Sequence, residues 1–303
     1  MTTPVALIFF NRPDTTERVF NEIAKAKPSK LLLIGDGPRK NIAGEAEKVA
    51  ATRAIVERVD WECEVLINYS EENLGCKMRP KTGIDWIFNQ VEEAIILEDD
   101  CLPNQTFFRY CQELLNLYRH DQRVSMISGT SFQPEVHIDN DHSYYYSRYP
   151  CTWGWASWRT RWHSCYDVEM KHWPVVRDSG WLNGILTSQK ECKYWSDKFD
   201  SVYTKEINTA WDYQWLFAEW SQNRLGVTPK VNMISNIGFG SNATHTTQGG
   251  SNLANMQTEE IIFPLIHPDI MMINTTADKM IFDHVYNFNA KWLNRIRNKI
   301  CKH

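Results

Sequence analysis

Three adjacent carboxylates, Glu98-Asp99-Asp100, close the apolar run Ala94-Ile95-Ile96-Leu97. Like charges gathered at one strand end repel one another unless a cation or sugar hydroxyls satisfy them, and hard divalent cations favour such oxygen ligands. A strand turns successive side chains to opposite faces, so Glu98 and Asp100 point one way and Asp99 the other. One metal ligand with one or two hydroxyl acceptors follows as a division of labour. An acidic triplet alone is also a solvated loop or a helix N-cap; the apolar strand ahead of it favours the chemical reading. Lys77 and Arg79, just before the expected start of a helix at Lys81, suit a diphosphate that one divalent ion cannot neutralise. Loop Lys and Arg are equally ordinary surface charges. Asp36, in the turn Gly35-Asp36-Gly37-Pro38, can accept from the N3–H of a uracil ring or serve as a plain turn residue.

In the second half, Asp212 stands near a helix start, with Trp211 before it and Trp215 three residues on. A carboxylate between aromatic walls, partly desolvated, can take the proton of a hydroxyl; its ordinary alternative is helix capping. The polar loop Gly238-Phe239-Gly240-Ser241-Asn242-Ala243-Thr244-His245 can close over a ligand, with His245 on phosphate or metal, or carry a plain surface histidine.

The elements that must position these groups alternate. Strands are expected at Val5–Phe10, Lys30–Ile34, Glu64–Asn68, Ala94–Leu97 and Val124–Ser128, and helices from Asp14 or Thr15 to Lys25, up to about Val59, at Lys81–Gln90 and at Thr106–Arg119. That is an α/β pattern of β-α-β units around a mostly parallel sheet, whose ligands gather beyond the carboxyl ends of the strands. Asn11 and Arg12, Asp36, Asn73 to Arg79 and the acidic triplet all fall there. From about Asn140 the alternation gives way to an aromatic, loop-rich region and short helices, then a helix at Thr209–Asn223. Ten of the 13 tryptophans lie between Trp153 and Trp220, a density that serves either a packed core or a surface for stacking on sugar rings.

At 303 residues the chain supports one large α/β unit or two modest ones. No linker or repeat separates the halves, so we expect 1–128 and 129–282 to be two halves of one domain, the first with the charged strand ends and the second with the aromatic region. A basic amphipathic tail at 283–303 carries Lys291, Arg295, Arg297, Lys299 and Lys302; it is a solvated terminal helix or a membrane-surface contact. A net charge of −4 gives no general affinity for nucleic acid. The eight cysteines contain no C-x-x-C pair, against a zinc ribbon or a secreted disulfide framework and in favour of a reducing, cytoplasmic setting. No stretch reaches the ~20 apolar residues of a membrane span. Neither G-x-G-x-x-G nor G-x-x-x-x-G-K-[ST] occurs.

The segments Asn73-Leu74-Gly75-Cys76-Lys77, Ile95-Ile96-Leu97-Glu98-Asp99-Asp100-Cys101, Ser147-Arg148-Tyr149-Pro150 and Trp153-Gly154-Trp155-Ala156-Ser157-Trp158-Arg159 resemble a group of bacterial nucleotide-diphospho-sugar transferases associated with surface-polysaccharide assembly. More remotely, the order of the motifs resembles inverting GT-A-fold glycosyltransferases of the N-acetylglucosaminyltransferase I type. The resemblance implies a GT-A fold with a Trp-rich acceptor side, a UDP-sugar donor, a glycan or lipid-linked acceptor, and Mn2+ or Mg2+ as cofactor. It implies that Asp100 coordinates the metal with the diphosphate and that Glu98 and Asp99 contact donor sugar and ribose. It further implies that the Phe10-Asn11-Arg12 strand end and Asp36 hold uridine, that Asp212 is the catalytic base, and that Gly154 and Trp155, with Trp211, wall the acceptor site. His245 would join the metal or phosphate. A lipid-linked acceptor would bring the tail to the inner membrane face.

Two other readings compete. A sugar-1-phosphate nucleotidyltransferase shares the sheet and the metal need but usually carries a Gly-rich, basic signature after the first strand, which Asn11-Arg12-Pro13 is not. A non-catalytic carbohydrate or sugar-nucleotide binder would not need both the triplet and Asp212.

Overall fold

The computed structural model describes residues 1–132, 141–239 and 253–286. In chain order the strands are β1 (Val5–Phe9), β2 (Lys30–Gly35), β3 (Glu64–Tyr69), β4 (Glu93–Glu98), β5 (Cys101–Pro103), β6 (Val124–Ser128), β7 (Tyr144–Ser147), β8 (Trp155–Trp158), β9 (Leu225–Pro229) and β10 (Ile234–Asn236). The helices are α1 (Pro13–Ala26), α2 (Glu45–Val56), α3 (Gly75–Gln90), α4 (Gln105–Tyr118), α5 (Arg159–Cys165), α6 (Trp173–Asp178), α7 (Leu182–Ile185), α8 (Gln189–Tyr203), α9 (Asp212–Ser221) and α10 (Thr275–Ile281).

Eight strands form one sheet in the order β3-β2-β1-β4-β8-β6-β9-β7. β3, β2, β1 and β4 are mutually parallel, and β8 and β7 run against their neighbours. The expected α/β fold with a mostly parallel central sheet flanked by helices is therefore present. Strands from both sides of residue 128 share this sheet.

The apolar runs of β1, β2 and β4 are buried because helices cover both faces. Val5, Leu7 and Phe9 pack with Leu31, Leu33, Ile95 and Leu97 against α1 and α4. The alternate residues Ala6, Ile8, Leu32, Ile34 and Ile96 face Ile84, Ile87 and Phe88 of α3, together with Trp155, Trp162, Trp211 and Trp215. A third cluster gathers Tyr149, Trp173, Trp195, Phe199 and Trp220 between α6, α8 and α9.

Four local readings change. α1 begins at Pro13, with Arg12 as the residue before its first turn; neither Asp14 nor Thr15 caps it. Proline's fixed φ and missing N–H suit that first position, and Thr16 bonds back to the Arg12 carbonyl with both its N–H and its hydroxyl. α3 begins at Gly75 rather than Lys81 and carries Pro80 within it, so Lys77 and Arg79 lie in the helix and not ahead of it. The aromatic region after residue 140 is not all loop: it supplies β7 and β8, and β8 sits between β4 and β6 in mid-sheet. Lastly α9 starts at Asp212, three residues later than expected.

Candidate functional site

β1, β2 and β4 deliver their following loops to one end of the sheet. There the Phe10 N–H donates to Asp99 Oδ2 at 3.0 Å, and Arg12 Nη1 lies 2.7 Å from Asp100 Oδ2 and 3.7 Å from Asp99 Oδ1. The triplet is thus tied to the end of β1. On its far side β5 pairs antiparallel with β10, and the Ile237 N–H donates to the Asp100 carbonyl at 2.8 Å. Gly238 then seats so closely that a Cβ there would fall 2.0 Å from Asp100 Oδ2. Only glycine fits that approach.

Electrostatics follow from this crowding. Burial, then Asp100, Asp99 and Asp212, push the Glu98 carboxyl up to about 8, against Arg12. Burial and Asp100 push Asp99 up to about 7, against Arg12 and the Phe10 N–H. Arg12 itself is raised: burial alone would lower it, but Asp99, Asp100 and Glu98 outweigh that. Asp212, exposed at the start of α9, is one of the charges acting on Glu98. A residue 114 positions later in the chain is therefore within electrostatic reach of the triplet. Burial lowers Lys198, and Asp212 opposes that shift, which adds a lysine of α8 to the same neighbourhood.

Several predicted roles are revised by the geometry. Asp36 is 4% exposed, and each of its oxygens already takes two N–H groups: Gly37 and Leu74 on Oδ1, Gly75 and the Asn73 amide on Oδ2. A carboxylate offers about four such positions. Asp36 is therefore saturated, caps the start of α3 from another loop, and has no oxygen left for a uracil N3–H. Arg79 is buried; its Nη2 donates to the carbonyl and to Oδ1 of Asn68, so it pins the end of β3 and is not open to a diphosphate. Lys77 is buried as well, with Nζ 3.4 Å from Asn208 Oδ1, and so links α3 to the segment before Asp212. Asn11 donates to Glu45 Oε1 at 3.0 Å, and Glu45 in turn is gripped by Arg39.

The acceptor walls are also revised. Trp155 is 0% and Trp211 4% exposed, and they stack on each other at 5.9 Å between centroids. Neither presents a free face to a sugar. Their stack, with Tyr166 donating to the Trp211 carbonyl at 3.2 Å, instead fixes where α9 begins and so where Asp212 stands. Gly154 is buried at φ 62°, where a Cβ would lie 2.5 Å from Ile234 Cδ1; it lets β10 approach β4 and is not a ligand contact. The aromatic surface near the triplet is half-buried Trp153, edge-on to Phe132 at 5.4 Å and to Phe239 at 5.8 Å; the sequence marks the Phe239 loop as one that can close over a ligand but does not pair it with Trp153. Phe239 directly follows the glycine that touches Asp100. The sequence signal was the Gly-Phe-Gly run after β10.

Among the described residues no three His, Cys, Asp or Glu side chains converge on one point. The donor set on hand is the hard oxygens of Asp100, with Asp99 beside it. That fits a divalent ion arriving with its own oxygen ligands on a diphosphate, and not one caged by protein alone. His245 and the basic residues from 291 onward lie outside the described residues. Among the described residues no helix is long and apolar enough to cross a membrane.

No protein-family model matches the sequence, and no curated protein is similar to it. Similar solved structures include a UDP-glucose pyrophosphorylase complexed with UDP-glucose, at 12% identity over 42% of this chain and 56% of that one, with a TM-score of 0.25. They also include the 4-diphosphocytidyl-2C-methyl-D-erythritol synthase from Anaerococcus prevotii DSM 20548, at 8% identity over 74% of this chain and 99% of that one, with a TM-score of 0.34. The chain spans little more than half the length of the pyrophosphorylase.

Proposed function

We propose that this chain is an inverting, metal-dependent glycosyltransferase that moves a sugar, GlcNAc or a related hexose, from a UDP-sugar to a glycan or lipid-linked acceptor in bacterial surface-polysaccharide assembly. The supporting observation is that Asp212, from the second half, lies within electrostatic reach of Glu98 in the acidic triplet that ends β4. A triplet alone serves any sugar-nucleotide site; a separate carboxylate across from it serves proton abstraction from an acceptor.

In this reading the acceptor oxygen attacks the anomeric carbon, its proton passes to the Asp212 carboxylate, and the bond from that carbon to the diphosphate oxygen breaks. UDP leaves with the electron pair, and the anomeric configuration inverts. Asp100 would hold Mn2+ or Mg2+ together with the diphosphate oxygens, and the ion would supply positive charge to the leaving group. Lys77, in the first turn of α3, adds a fixed positive charge close to that end of the sheet. Glu98 and Asp99 accept from sugar and ribose hydroxyls, and Phe10 and Asn11 border the nucleoside. Asp36 acts through the loop 73–75 that it organises.

The test is incubation with Mn2+ and UDP-glucose or UDP-GlcNAc, following UDP release by coupled assay. Release of UDP, by slow hydrolysis or by transfer to added glycans, supports the reading. Release of pyrophosphate from UTP and a sugar-1-phosphate, with no UDP formed from UDP-sugars, would replace it with nucleotidyl transfer.

A further inference from the structure

The acidic pair at the end of β4 already has a cation. Arg12 Nη1 contacts Asp100 Oδ2 at 2.7 Å and lies 3.7 Å from Asp99 Oδ1, the side chains being 23%, 18% and 10% exposed. A guanidinium there stands between one oxygen of each acid, where a small divalent ion would otherwise bridge them. It is held there from behind: Arg12 immediately precedes Pro13 at the start of α1, and its carbonyl takes two bonds from Thr16. Gly238 closes the opposite side of Asp100. Guanidinium does not deprotonate in proteins, so this charge is permanent, and an entering metal must move it rather than wait for it to titrate. Once moved, its five N–H groups suit phosphate oxygens as well as they suit carboxylates.

We propose that Arg12 is the resident counter-ion of Asp99 and Asp100. It excludes a free divalent ion and yields only to one arriving on a diphosphate, whose oxygens give the guanidinium a new anionic partner. The second clause rests on the sugar-nucleotide reading; the exclusion does not.

The measurement is the free Mn2+ signal in electron paramagnetic resonance, with the metal alone. Arg12→Ala leaves buried Asp99 and half-buried Asp100 without compensation, so it should bind Mn2+ at least about tenfold more tightly than wild type. Arg12→Gln, which keeps most of the bulk, should do the same, Arg12→Lys should stay near wild type, and adding Asp100→Asn to Arg12→Ala should abolish the gain. Adding UDP to wild type should then draw Mn2+ in. Equal Mn2+ affinity in wild type and in the folded Ala or Gln variant, checked by circular dichroism, overturns the counter-ion role. If the variants gain Mn2+ but UDP binds none of the proteins, the sugar-nucleotide reading fails and the exclusion stands. If UDP recruits Mn2+ to wild type and the variants gain nothing without it, the reading stands and the exclusion fails.

Discussion

At the end of β1, β2 and β4 the chain concentrates charge: Arg12, Asp36, Glu98, Asp99 and Asp100 lie at neighbouring strand ends, and burial pushes three of the acids, Asp36, Glu98 and Asp99, up. Between Trp153 and Trp220 it concentrates rings, several of them with their polar atom satisfied, while Nε1 of Trp155 and of Trp158 is buried without a partner among the described residues. Trp162 donates to Asp85, Trp173 to Asp200, Trp195 to Tyr149 and Trp220 to the Arg148 carbonyl. The first region is held in tension and the second at rest. Electrostatic preorganisation needs a rigid frame, because charges that can relax apart stabilise nothing. The aromatic half supplies the frame: β8 enters the sheet beside β4, and the Trp155–Trp211 stack anchors the residue immediately before Asp212.

The sharpest way to break this contrast is to remove chemistry without touching the frame. Asp212→Asn should lower turnover by about 10²- to 10⁴-fold while thermal stability and UDP-sugar binding stay as in wild type. A variant that turns over normally removes Asp212 as the base. Removing frame without chemistry comes next. Trp155→Ala should cost about 3–5 kcal/mol by urea unfolding, with Trp155→Phe far milder, since its Nε1 has no partner among the described residues. If Trp155→Ala were near neutral in stability yet lost acceptor use, Trp155 would be an acceptor wall after all.

Asp36 tests the border between the two regions. Three of its four bonds hold loop 73–75, so Asp36→Ala should destabilise by about 2 kcal/mol or more through buried N–H groups left unmet. It should weaken UDP, GDP and dTDP binding alike. A loss confined to uridine nucleotides would restore the base-reading role.

The sheet was legible because buried parallel strands write themselves as uninterrupted Val, Ile and Leu runs, and the triplet because it ends one of them. β7 and β8 were harder: Tyr144-Tyr145-Tyr146-Ser147 and Trp155-Ala156-Ser157-Trp158 are short, without β-branched residues and flanked by turns, and only their neighbours in space make them strands. The start of α3 was misplaced for a similar reason. Pro80 reads as a breaker, while the carboxylate that caps the helix, Asp36, stands 38 positions before Leu74 in the chain. The roles first given to Trp155, Trp211 and Arg79 rested on residue type. Burial decides between surface and core, and residue type alone does not report it.

A last test separates acids under mutual repulsion from one that is merely buried. Glu219 in α9 is 2% exposed, accepts from the Ser125 hydroxyl at 2.6 Å, and is pushed up to about 8, chiefly by burial and against Ser125 and Arg224. Its folded value lies above the ordinary glutamate value of 4.5, so the folded chain keeps a proton that the unfolded chain releases. The contribution to stability is full below about 4.5, falls by up to about 1.4 kcal/mol per pH unit as pH rises toward about 8, and is flat beyond. Glu219→Gln should flatten that part of the stability profile and leave the variant no less stable than wild type above neutrality, because an uncharged amide replaces a carboxyl forced to ionise in the core. Urea unfolding at a series of pH values reads the slope. An unchanged slope would mean that other raised acids, Asp278 or those at the strand end, carry the pH dependence of the fold.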